Sequence, residues 1–118
     1  MVIDKMIAIT YDKETNTVFQ HFGRTEYFYL FNLENDKEDI VDNGGFSHHD
    51  LATYLKSLGV DTLICGGIGM HGVYAIESMG IKLIPGAFGD VKDVIKAYKE
   101  GTLTGNPDAM HECSHGNH

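Results

Sequence analysis

The sequence predicts a single α/β domain in which helices cover a mixed sheet, and three observations carry that expectation. From Lys5 to Leu33 the apolar residues come in β-prone, aromatic-rich runs; from Ser47 onward, helical spacing alternates with short apolar runs; and glycine or proline closes most of these segments. Early hairpins make antiparallel neighbours and later β–α–β crossovers make parallel ones, so this order calls for a mixed sheet.

Lys5 to Tyr11, "KMIAITY", reads as the first strand, and Thr17 to Phe19 follows the polar "DKETN" as a short second one. Glu26 to Leu33, "EYFYLFNL", alternates as a third strand, and "ENDKED" is a solvated turn before the weakly extended Ile40 and Val41. Ser47 with Asp50 forms a start resembling a capping box for a helix carrying Leu51, Tyr54, Leu55 and Leu58, which Gly59 ends. Val60 to Cys65 is a buried-type strand. Val73, Ile76 and Met79 mark a helix ending at Gly80, and Ile81 to Ile84 a strand closed by Pro85 and Gly86. Asp90 caps a last helix bearing Val91, Val94, Ile95 and Tyr98, with Gly101 at its end. The order βββαβαβα fits an RNase H-like three-layer domain: a five-stranded mixed sheet in the order 3-2-1-4-5, with helices on its faces. The domain is expected over residues 1–105, followed by a flexible C-terminal tail over 106–118.

At 118 residues and 42% hydrophobic content the chain can bury one core. A formal charge of −8 argues against nucleic acid and anionic membranes as partners. The absence of a long apolar run and of a signal-like start, with two cysteines in dissimilar settings, leads us to expect a cytoplasmic protein. Seven histidines turn attention to imidazole chemistry.

"CGGIGMHG", Cys65 to Gly72, joins a strand to a helix. Gly67, Gly69 and Gly72 fit the G-x-G-x-x-G dinucleotide fingerprint, but the next strand, "IKLI", runs into Pro85 and Gly86 where an acidic ribose partner belongs. What remains is a helix start able to receive an anion. Cys65 reads either as a small buried hydrophobe or as a ligand, and His71 as a capping side chain or a ligand.

"VFQHFGRTEYFYLF", Val18 to Phe31, sets His21 in a turn between strands, with Phe22 and Gly23 behind it. With "MIAITYD" before it and "LGVDTLICGGIGMHGVYAIESMGIKLIPG" after it, the chain resembles the dinitrogenase iron–molybdenum cofactor biosynthesis family from about Met6 to about Leu103. That resemblance implies a small RNase H-like domain that binds or carries the iron–molybdenum cofactor or an iron–sulfur precursor cluster for nitrogenase, without catalysing turnover. It implies nitrogenase or cofactor-assembly proteins as partners, His21 as the H-F-G histidine, and Gly66, Gly67 and Gly69 as the glycine turn. The strong acidity and the His/Cys tail depart from the dedicated carriers.

The tail places His111, Cys113, His115 and His118 as H-x-C-x-H-x-x-H, a set suited to zinc or another divalent metal, although the spacing matches no standard zinc pattern. His48 and His49 fall in a first helical turn, where the dipole favours neutral, ligand-competent rings. With the third strand parallel to the first, Cys65, His71, His48 and His49 share one sheet edge and His21 leaves at the other. His21 and the tail are then expected to act separately. Two alternatives compete: a metal-dependent RNase H-like nuclease using Asp12, Asp61 and Asp90, and a protein–protein interaction module without metal.

Overall fold

The computed structural model describes residues 5–45, 48–103, 105 and 110–111, with the backbone alone at 48, 49, 110 and 111. The strands are β1 (Met6–Asp12), β2 (Thr17–Val18), β3 (Tyr27–Asn32), β4 (Glu38–Asp42), β5 (Thr62–Ile64), β6 (Ile68–Gly69), β7 (Lys82–Ile84) and β8 (Met110–His111). The helices are α1 (His48–Ser57), α2 (Met70–Ser78) and α3 (Val91–Glu100), and a 3-10 turn spans Phe22–Arg24.

The main sheet runs β4-β3-β1-β5-β7: β3 is antiparallel to both β1 and β4, whereas β5, reached from β4 through α1, is parallel to β1, and β7, reached through α2, is parallel to β5. Side chains alternate across it. Ile7, Ile9, Tyr11, Tyr29 and Phe31 face Val91, Val94 and Ile95 of α3. Ala8, Phe28, Leu30 and Leu63 face Leu51 and Leu55 of α1 and Val73 and Ile76 of α2. Burial on both faces explains the unbroken apolar run from Met6 to Ile9 in β1. The helix ends follow local chemistry: Asp90 Oδ1 accepts the Lys92 N–H at 2.8 Å, and Gly101 closes α3 in the left-handed region at φ 75°.

Two topological expectations require correction. The sheet has six strands rather than five, and Thr17–Val18 does not lie between the first and third strands. Tyr11 pairs with Tyr27 on one edge of β1 and with Val18 on the other, so β2 takes the edge that β5 uses from Ile7 to Ile9. The order 3-2-1-4-5 describes this path only if Glu38–Asp42, of which Ile40 and Val41 alone are expected to be weakly extended and Glu38 and Asp39 to lie in a turn, is counted and β2 is not. Second, β3 runs antiparallel to β1, because a two-residue β2 never crosses the sheet to reverse the chain.

After α3 the chain turns back. The Leu103 N–H donates to Ala97 O at 3.2 Å, and Gly105 sits so close to the end of β7 that a Cβ there would stand 3.1 Å from Pro85 Cδ. β8 then pairs in parallel with β6. Among the described residues, no helix is long and apolar enough to cross a membrane.

Candidate functional site

The site begins with the shortness of β2. The Val18 N–H donates to Gly89 O at 2.9 Å and the Phe19 N–H to Thr10 O at 2.8 Å, which holds the chain between the end of β1 and the loop before α3. It then meets the glycine turn: the Gly67 N–H donates to Gln20 O at 2.7 Å, and Gly67 O accepts from the Phe22 N–H at 2.9 Å. His21 is thereby bridged in parallel to Gly67. The expectation that His21 leaves at the opposite edge from Cys65 is overturned, because the returning strand stops after two residues and stays at the carboxyl edge of β1.

Two glycines make this docking possible. A Cβ on Gly66 would lie 2.8 Å from Gln20 Cα, a backbone atom that cannot swing aside, and 2.6 Å from Gln20 Oε1. A Cβ on Gly72 would meet Ile68 Cγ1 at 2.9 Å and Phe22 Cδ2 at 3.1 Å. Phe22 is buried against the start of α2 and stacks at a tilt on Phe28, with centroids 6.3 Å apart. The resemblance to a dinucleotide fingerprint thus has another physical cause at Gly72: it makes room for the H-F-G phenylalanine.

Between the two turns lies a groove of about 340 Å³, with His21 to Arg24 on one wall and Gly67 to Gly69 on the other. His21 is exposed at its rim, and the Phe19 ring meets it edge-on at 6.5 Å. Residues paired across a ladder project on the same side, and Gly67 has no side chain to stand beside the imidazole. Arg24, exposed in the same wall, places a fixed cation there on a chain whose net charge is −8. Sequence reasoning missed Arg24, although its place three residues after His21 in "HFGR" was visible.

Residues 4–101 match the family described as Dinitrogenase iron-molybdenum cofactor. The chain belongs to this family. It is similar to an uncharacterized protein of Methanocaldococcus jannaschii, with 28% identity over 84% of this chain and 91% of the relative. Among solved structures it is similar to the protein PH0822, with a TM-score of 0.79, 29% identity, and coverage of 88% of this chain and 98% of that one. A NifB-like protein from Thermotoga gives a TM-score of 0.72 at 25% identity, covering 86% of this chain and 92% of its own.

In this family member the remaining candidates part company. Cys65 is fully buried in the core beside Ala8 and Leu63, and burial pushes its thiol from an ordinary 9.0 up to about 12, so it presents no thiolate to the groove. His71 is exposed in the first turn of α2, outside the groove walls. His48 and His49 open α1 as expected, and their side chains lie outside the description. Of the candidate ligands in the tail, His111 belongs to β8 with its side chain outside the description, and Cys113, His115 and His118 lie outside the described residues. Among the described residues no three histidine, cysteine or carboxylate groups gather into a metal site. The carboxylates considered for a nuclease serve turns and caps. Asp61 accepts the Lys5 and Met6 N–H groups at the amino end of β1, Asp12 accepts the Glu14 and Thr15 N–H groups at its carboxyl end, and Asp90 caps α3.

Proposed function

We propose that this chain binds and carries an iron–molybdenum cofactor, or an iron–sulfur precursor of it, as cargo. It passes that cargo to nitrogenase or to cofactor-assembly proteins in the cytoplasm and catalyses no turnover itself. The observation that carries this reading is the placement of His21: an exposed imidazole whose neighbours Gln20 and Phe22 are both hydrogen-bonded to Gly67. A ligand held this way loses little conformational entropy when it binds. Imidazole suits iron and other borderline metals, the glycine wall leaves room for a bulky group, and Arg24 favours an anionic one. Family membership supports the same cargo class. We read the architecture as RNase H-like, with the long crossovers and the β1–β2 connection all delivering loops to one sheet edge.

The test is anaerobic incubation of the protein with isolated iron–molybdenum cofactor, followed by gel filtration and molybdenum counted per chain. The intact protein is expected to retain cofactor and His21→Ala to lose most of it while keeping its circular dichroism. Equal retention by the two proteins would overturn the reading.

A further inference from the structure

We propose that Phe19 is a positioning residue for His21: its ring stands behind the imidazole and keeps it turned towards the groove, and the buried Thr10 hydroxyl fixes Phe19 in turn. This rests on His21 being a cargo ligand.

The hydrogen bonds of Gln20 and Phe22 to Gly67 fix the backbone around His21, but they leave the side-chain torsions of the imidazole free. What restricts those torsions comes from two residues upstream. The Gln20 side chain is committed elsewhere, its Nε2 donating to Val18 O and to Ala87 O at 3.2 Å each, while the Phe19 and His21 rings face one another. Their centroids lie 6.5 Å apart with the planes at 69°, within the range of an edge-to-face pair. Phe19 is itself gripped by a single residue of β1. Its N–H donates to Thr10 O at 2.8 Å, and its carbonyl accepts from Thr10 Oγ1 at 2.7 Å. Thr10 is fully buried, where a hydroxyl is costly unless it is bonded, and Phe19 supplies the bond. Phe19 also lines a second cleft, of about 580 Å³, whose walls include Asp12, Glu14 and Glu26. His21 is in the wall of the groove, Phe19 is in the wall of the cleft, and the two rings meet, so the phenyl ring separates the imidazole from these carboxylates. An imidazole that swung into the cleft would hydrogen-bond to a carboxylate there and be lost to the cargo. A side chain free among three staggered χ1 wells, of which one points into the groove, is competent about a third of the time, and apparent affinity falls by that fraction.

Two measurements on the full-length chain test this, with Phe19→Leu, Phe19→Tyr and Thr10→Val as variants. In the cargo-free protein, the χ1 populations of His21 are read from three-bond couplings by nuclear magnetic resonance. The intact protein and Phe19→Tyr should hold one well and Phe19→Leu should spread over several; Thr10→Val, which frees the Phe19 carbonyl but keeps the ring, should spread less. In the second measurement a cluster is reconstituted anaerobically from ferrous iron and sulfide and titrated with chelator. Phe19→Leu should hold it about threefold more weakly than the intact protein, and Phe19→Tyr should restore retention. An imidazole already spread over several wells in the intact protein, or either readout unchanged in Phe19→Leu, would overturn the inference and leave the His21 reading standing. If His21→Ala retains cluster like the intact protein, both fail.

Discussion

Cys65 and His21 come to the same sheet edge with opposite chemistry, and solvent contact separates them. Cys65 ends an apolar run and is sealed in the core; His21 stands at a junction of polar and aromatic residues and faces solvent. The Cys65 thiol, raised to about 12 by desolvation, makes a prediction with a definite sign. Below its ordinary value of 9.0 the thiol is protonated in both folded and unfolded chains, and the stability linked to it is fully present. From there up to about 12 the unfolded chain releases the proton and the native one keeps it, so stability falls by up to about 1.4 kcal/mol per pH unit. Urea unfolding of the intact protein and of Cys65→Ala between pH 8 and roughly 11 isolates this contribution from other titrating groups. The stability advantage of the intact protein should shrink over that window, and a difference constant with pH would contradict the assignment.

At the scale of elements, the sequence is most legible where local chemistry decides. The cap at Asp90, the left-handed stop at Gly101 and the apolar spacing of α3 all lie in neighbouring residues, and the helix is where they put it. In β4 only Ile40 and Val41 read as weakly extended, because "EDIVD" is an exposed edge strand whose acidic residues face water and resemble a turn. The position of β2 is illegible for another reason: its hairpin with the end of β1 is local, but its other partners, Gly89 and Asp90, lie far along the chain, and no periodicity encodes them. The glycines carry the missing information as space. Gly66→Ala forces a Cβ against the Gln20 backbone, and we expect a loss of about 1–3 kcal/mol, the usual cost of overpacking. Because the clash pries apart the two turns, cluster retention should fall as well. Gly59→Ala is the control: it is strained by its φ of 86° but has open space around it, so it should cost stability without touching retention beyond that of a folded protein. Equal effects of the two substitutions on retention would refute the docking role of Gly66.

For the whole molecule, the fold gathers loops from remote parts of the chain at one edge. The H-F-G turn, the glycine turn and β8 meet there: β2 stops after two residues, and Gly105 lies against Pro85 at the end of β7. The residues at this junction, His21, Gly66, Gly67 and Gly69, are legible in the sequence; their meeting is not, since a third strand parallel to the first would send His21 to the far edge. An acidic protein thereby presents a groove with Arg24 and an exposed imidazole, the features on which the proposed binding of an anionic cluster rests. The most direct test asks whether that imidazole touches metal. Protein labelled with nitrogen-15 in histidine, loaded anaerobically with a paramagnetic iron–sulfur cluster, is measured by pulsed electron paramagnetic resonance beside an identically labelled His21→Ala variant. A directly bonded histidine nitrogen should appear in the intact protein and lose the His21 contribution in the variant; a spectrum without histidine coupling, or one unchanged by the substitution, would contradict His21 as the ligand.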